Sequence, residues 1–151
     1  MNLKELITNY LEKQYMMQLA TVDNSQPWIC TVYYVVDDNL NFYWLSIPTR
    51  RHSKELNHHD KVAAAIPVNF VKGEKVIGLQ TEGIAEELPS NESAREIAIK
   101  YADKFSRTEK WVNDFCSNNT DHKLYKLSPS LFVLFDEENF PDQPRQEIKI
   151  N

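Results

Sequence analysis

Residues 42–56 read Phe42-Tyr43-Trp44-Leu45-Ser46-Ile47-Pro48-Thr49-Arg50-Arg51-His52-Ser53-Lys54-Glu55-Leu56. An aromatic, strand-forming run meets a turn at Pro48 and Thr49, and a cluster of cations then opens a helix that carries Leu56 inward. Thr49 is a residue type that caps a helix start. The first turn of a helix has backbone N–H groups without partners and the positive end of the macrodipole. With Arg50, Arg51, His52 and Lys54 at that point, the stretch has the composition of an anion site. A phosphorylated cofactor lying against a sheet is the ligand such a site would hold.

Toward the N-terminus the pattern stays β. Asn41–Ser46 is preceded by the turn Asp37-Asp38-Asn39, by a strand over Trp28–Val36, by turn chemistry at Asp23–Pro27 and by a strand over Met17–Val22. Turns this short imply an antiparallel meander. A helix over about residues 3–14 opens the chain, with Leu3, Leu6, Ile7, Tyr10 and Leu11 on one face and Asn2 with Glu5 as a capping box.

Toward the C-terminus, Lys61–Asn69 and Val76–Leu88 read as a hairpin turned at Val71–Lys75, with Gly83 marking a bulge or a close approach. Pro89-Ser90-Asn91 starts a helical part with Ile97, Tyr101 and Phe105 on one face, and a shorter helix covers Glu109–Cys116. Leu124–Phe135 is a final strand. The fold class expected is mainly β with flanking helices, a closed or nearly closed barrel of about six antiparallel strands. Residues 1–151 form one domain, and residues 136–151, acidic and carrying Pro141 and Pro144, form a C-terminal arm laid over a neighbour or partly disordered.

Composition narrows the function. A formal net charge of −5 argues against wholesale nucleic-acid binding, and the positive charge is local, at Arg50, Arg51, Lys54 and Lys61. No apolar run approaches a membrane span. The charged amphipathic start lacks a signal-peptide core, which places the chain in the cytoplasm. Cys30 and Cys116 lie far apart and form no Cys-x-x-Cys pair, so each reads as a free thiol. His58 and His59 are adjacent on a helix and diverge by about 100°, so a shared metal ion is not expected. With only Gly73, Gly78 and Gly83, no glycine-rich phosphate loop exists, and a dinucleotide held in the Rossmann manner is excluded. Glu82, Glu86 and Glu87 read as surface residues, and no acid–base constellation stands out; a catalytic residue is therefore not assigned.

The ordered series resembles a known family. The opening helix, the Gln-Leu-Ala-Thr-Val strand, the Pro-Trp-Ile-Cys-Thr-Val-Tyr-Tyr strand, the Asn-Phe-Tyr-Trp-Leu-Ser strand and the Arg-Arg-His-Ser-Lys helix look like the FMN-binding split barrels, the pyridoxamine 5′-phosphate oxidase-like proteins, over about residues 3–135. The resemblance implies a split β-barrel with FMN between the two chains of a homodimer. It implies backbone and hydroxyl contacts to flavin from Leu45 and Ser46, and a phosphate held by Arg51 and His52. Arg50 takes the arginine's place if the loop shifts by one, and Lys54 stands beside them. It also implies a strand lining the isoalloxazine edge at Thr31, Val32 and Tyr33, and a Gln80 that reaches the flavin from the partner subunit.

Pyridoxamine phosphate oxidases proper close with a C-terminal Trp and a pair of arginines. Here the tail reads Phe140-Pro-Asp-Gln-Pro-Arg-Gln-Glu-Ile with Arg145 alone, closer to the small uncharacterised and stress-type members. The implied activity is an FMN-dependent oxidoreductase that moves hydride or electrons to or from a small molecule. The alternative is a non-catalytic protein that binds or senses flavin, pyridoxal phosphate or haem in the same pocket.

Overall fold

Asn24 and Ser25 both take positive φ (48° and 64°), the geometry of a two-residue hairpin turn, and so pair β1 (Met16–Asp23) with β2 (Gln26–Tyr33) from Met16↔Tyr33 to Asp23↔Gln26. The computed structural model describes residues 1–151. After β2 come β3 (Val35–Val36), β4 (Phe42–Ser46), the helix α2 (Arg51–His58), β5 (Lys61–Asn69) and β6 (Ile77–Leu88). The helices α3 (Arg95–Phe105) and α4 (Glu109–Cys116) lead to β7 (Lys123–Asp136) and β8 (Arg145–Lys149). The helix α1 (Leu3–Lys13) precedes β1 and carries the capping box of Asn2 and Glu5, each side chain bonded to the other's backbone N–H at 2.9 Å.

The eight strands form one antiparallel sheet in the order β2-β1-β5-β6-β7-β4-β3, with β8 on the second half of β7. The two ends of that order, β2 and β3, are consecutive in the chain with only Tyr34 between them. The sheet therefore curls until its edges meet along one stretch of backbone, which makes the split barrel. Tyr34 is fully buried; its N–H donates to Tyr15 O and its hydroxyl to Leu11 O at 2.9 Å, so α1 is tied to the junction.

Alternation divides the residues. Met17, Leu19, Val32, Phe42, Trp44, Val62, Ala64, Ile66, Leu79, Phe132 and Leu134 fill the barrel, with Ile7 and Leu11 of α1 and Leu56 of α2 packed against them. A second core lies outside, where Val35, Tyr43 and Leu124 meet Ala98, Tyr101 and Phe115 of α3 and α4. No helix is long and apolar enough to cross a membrane.

Two expectations from the sequence are corrected. Residues 145–149 are neither a free arm nor a disordered tail; they pair with β7 of the same chain, Phe135↔Arg145 to Leu131↔Lys149. Pro141 and Pro144 lie in the reversal that makes this possible. The fully buried Asp136 anchors that reversal, accepting bonds from Tyr10 Oη (2.7 Å), Asn139 Nδ2 (2.7 Å) and the Glu138 and Asn139 N–H groups. Thr49 does not cap α2 either: the N-cap is Arg50, and no side chain takes the role.

Gly83 sits at the register shift between β6 and β7, as its place in the sequence predicted. A Cβ there would lie 2.1 Å from Ser128 O and 2.8 Å from Pro129 Cα, both backbone atoms that cannot yield alone. Gly83→Ala is expected to destabilise the protein by about 2–3 kcal/mol in denaturant melts. Gly78→Ala, whose Cβ would meet nothing nearer than Ile66 O at 4.0 Å, serves as the tolerated control.

Candidate functional site

The end of β4 hands the chain to α2 across Ile47-Pro48-Thr49. Leu56 and Glu55 turn inward and fix the helix against the barrel's rim, while Arg50, Arg51 and Lys54 remain exposed. Because Arg50 offers no capping acceptor, the first turn keeps its free N–H donors beside three cationic side chains. A helix start without a side-chain cap at a cation-rich corner presents free backbone donors and positive charge together.

The side chains there are organised. Arg51 Nε donates to Glu55 Oε1 at 2.8 Å, and Thr21 Oγ1 of β1 donates to Glu55 Oε2 at 2.6 Å. The guanidinium carbon of Arg51 lies 4.0 Å over the Trp28 ring of β2. The two Nη groups bond nothing in the chain. Arg50 and Lys54 form no ion pair. His52 Nε2 and Ser46 Oγ lie 2.7 Å apart, one hydrogen joining them.

Burial lowers the His52 pKa, the neighbouring Arg50 charge lowers it further and Glu55 only partly offsets them, so the ring is neutral at pH 7. Burial pushes the Glu55 carboxyl up, and the bonds from Thr21 and Arg51 with the guanidinium charge outweigh it, holding the group below the usual carboxylate range. Burial and the Glu55 charge push the nearby Cys30 thiol up to about 11, which leaves it protonated and unreactive at neutral pH.

The remaining residues singled out in the sequence are spread over the sheet. Thr31 and Tyr33 point outward; Thr31 Oγ1 donates to Gln18 Oε1 at 2.7 Å, and Tyr33 packs on Phe105 with ring centroids 5.1 Å apart. Val32, between them, faces the barrel core, so only its backbone is available to a ligand. Leu45 packs into the second core beneath the helices, while Ser46 joins the cation corner through His52. Gln80 lies on the outer face in the row Thr31–Gln18–Ala65–Gln80–Val133. That places it three strand spacings, about 14 Å, from Thr31. Within one chain the structure thus brings together Ser46, Arg50, Arg51, His52 and Lys54, and leaves Gln80 apart from them.

The next row, Ile29–Ala20–Ala63–Glu82–Leu131, continues the outer face. Alanines at 20, 63 and 65 floor a trough of about 350 Å³ walled by Gln18 and Ile29 on one side and Leu131 and Val133 on the other. Glu55 and Thr21 were not singled out in the sequence. The i, i+4 spacing of Arg51 and Glu55 was a legible signal; the reach of Thr21 and Trp28 from other strands had none.

The family model described as Pyridoxamine 5′-phosphate oxidase matches residues 3–131. The UPF0306 protein PM1958 of Pasteurella multocida (strain Pm70) is 29% identical over 96 residues, 62% of this chain, and the match spans under two thirds (63%) of that protein's own length. Among solved structures, the conserved hypothetical protein Rv2991 of Mycobacterium tuberculosis superposes with a TM-score of 0.78 at 14% identity, covering 93% of this chain and 88% of that one. HutZ, the heme storage protein of Vibrio cholerae, gives 0.67 at 18% identity (85% and 91% covered). A FAD-binding protein of Mesorhizobium loti gives 0.63 at 17% identity (87% and 92% covered). At these identities the structural likeness establishes the split-barrel fold.

The Glu55 arrangement makes a pH prediction. A carboxylate whose folded pKa is depressed adds stability that is present above its unfolded value, near 4.5, and lost as pH falls through the folded value. Glu55→Gln is expected to be about 1–2 kcal/mol less stable than the parent at pH 7. Urea melts should show that gap closing once the pH drops below 4.5. A gap that persists unchanged at pH 3 would place the loss elsewhere.

Proposed function

The chain belongs to the pyridoxamine 5′-phosphate oxidase family, and on that premise we propose that it is an FMN-binding oxidoreductase whose cofactor phosphate rests at the start of α2. One observation carries the reading: α2 begins without a cap, amid Arg50, Arg51 and Lys54, with the Arg51 Nη groups unpartnered. A phosphate monoester suits this donor set. It offers the terminal oxygens that a guanidinium fork and backbone N–H groups recognise together. Ser46 adds a hydroxyl, and the neutral His52 ring can take up a proton as the dianion settles beside it.

When bound, FMN would supply hydride and electron transfer itself, leaving the protein to bind, orient and exclude water. Thr31 and the Val32 backbone stand on the strand adjoining the corner, in position to meet a ring system extending from a phosphate held there. No titratable constellation near the corner demands a separate acid–base step.

A homodimer completes the reading. The outer sheet face exposes Ile29 (60%), Ile84 (53%) and Phe135 (40%) around the alanine-floored trough. An apolar face of that kind on a small domain favours a partner. A second copy laid across it would bring its own Gln80 toward the first copy's flavin, which the 14 Å spacing within one chain does not do.

The competing reading is a non-catalytic carrier of flavin, pyridoxal phosphate or haem, in line with the names of the heme storage and FAD-binding neighbours. The histidine at the corner, His52, has its Nε2 bonded to Ser46, and His58, His59 and His122 are exposed elsewhere.

Purified protein is expected to take up FMN and turn yellow, with Arg51→Ala weakening the affinity at least tenfold, about 1.4 kcal/mol, by fluorescence titration. Equal FMN affinity in that variant would remove the phosphate assignment. Turnover of a reduced donor by the FMN-loaded protein separates the enzyme from the carrier. Ala63→Arg, in the floor of the trough, is expected to shift the parent dimer to monomer in sedimentation velocity; an unchanged dimer would place the second copy on another face.

A further inference from the structure

Arg51 and Glu55 form an unequal pair. The arginine side chain is 47% exposed, whereas the carboxylate is 7% exposed and sits on the inward face of α2 beside the fully buried Ser53 and Leu56. An apolar side chain at that position would fill the rim at no desolvation cost, and a half-exposed ion pair contributes little stability in return. Compared with an apolar side chain, as opposed to a broken pair, stability is therefore a weak reason to bury this charge.

Its geometry gives a stronger one. Both carboxylate oxygens are committed, one to Thr21 Oγ1 at 2.6 Å and the other to Arg51 Nε at 2.8 Å. Thr21 is itself buried, so Glu55 is clamped from the sheet side and cannot swing. Contact through Nε alone holds the guanidinium by its inner edge and turns the Nη pair away, and the Trp28 ring at 4.0 Å supports the flat face. The five donors of a guanidinium are rigidly disposed, so fixing one edge aims the other.

We infer that Glu55, clamped by Thr21, is a positioning residue that aims the Arg51 guanidinium at a phosphate monoester bound at the start of α2. The inference rests on the FMN-phosphate reading above and adds to it a requirement for a buried anion next to an anion site. That requirement runs against simple electrostatics. Around the corner Arg50, Arg51 and Lys54 are positive and Glu55 is negative, with His52 neutral. If charge alone governed, removing Glu55 would raise the affinity for a dianion. If aim governs, removing it lowers the affinity, because a long, freed side chain must be immobilised on binding.

The sign of the change is the test. FMN and riboflavin differ only in the phosphate, so their affinity ratio isolates the corner, and riboflavin affinity reports whether the variant is folded. Dissociation constants of both would be measured by flavin fluorescence for the parent, Arg51→Ala, Glu55→Ala, Glu55→Gln and Thr21→Val. The expected result is a riboflavin affinity within twofold of the parent throughout and an FMN-to-riboflavin preference reduced at least fivefold in Glu55→Ala. A smaller loss is expected in Thr21→Val, and substantial rescue in Glu55→Gln, whose amide oxygen still accepts from Nε.

A preference that is unchanged or increased in Glu55→Ala and Thr21→Val, with Arg51→Ala still lowering it, overturns the positioning role and leaves the phosphate site intact. A preference that Arg51→Ala does not alter removes the phosphate site and the positioning role with it. Were Glu55→Ala to unfold, Thr21→Val, which keeps the side chain's shape and all the charges, decides between aim and charge alone.

Discussion

The fold depends on one piece of backbone serving both edges of a sheet. Residues 26–36 form β2 at one end of the strand order and β3 at the other, and the buried Tyr34 between them is held by Tyr15 and Leu11. The sheet curls on itself without a ladder between β2 and β3, and the barrel it forms has ends. The barrel interior reaches the rim with Thr21 and Leu19 on β1, and something must cover it. Helix α2 does so, with Leu56 in the core and Glu55 against Thr21. The requirement to plug the rim thus decides where α2 begins, and with it where its free N–H groups and cations stand.

That dependence explains why a chain with a net charge of −5 can have a cationic site. Screening confines the influence of exposed charges to about 8–10 Å at physiological ionic strength. At the start of α2 the charges close at hand in sequence are those of Arg50, Arg51 and Lys54. The helix dipole acts over a similar range and has the same sign. Net charge argues against wholesale nucleic-acid binding and is silent about one small anion at one corner.

Strand content was legible because turn chemistry punctuates this sequence closely. β5 lies at Lys61–Asn69 and α4 at Glu109–Cys116, the spans their patterns predicted, and Gly83 sits at a close approach that admits no side chain. β8 was hidden. Pro141 and Pro144 are breakers locally, and the strand's inward residues Gln146 and Ile148 are only half buried. What makes it a strand is a long-range arrangement, the Asp136 hub joined to Tyr10 of α1, that no window of sequence contains. The cap of α2 was misread for a related reason. Thr49 is the right residue type one position too early, and the absence of a cap is what leaves the donors free. In the site, the cations were visible as a cluster. The residues that orient them, Glu55, Thr21 and Trp28, come from three different elements, and only the helical spacing of Arg51 and Glu55 was readable.

The same barrel is compatible with different ligands, since neighbours named for heme storage and for FAD binding share it at 17–18% identity. The shared part is what closure demands: alternating core residues, a plugged rim and short turns. Ligand choice must then reside in groups that closure does not require. Glu55 is such a group, because the rim needs volume there and not charge. A charge kept at a position where volume would suffice costs desolvation, and that cost is offset only if something outside the core uses the charge. In this chain the user is the Arg51 guanidinium, whose outward nitrogens are the ones left without a partner. The chemistry of the corner is therefore written in a residue that points away from it.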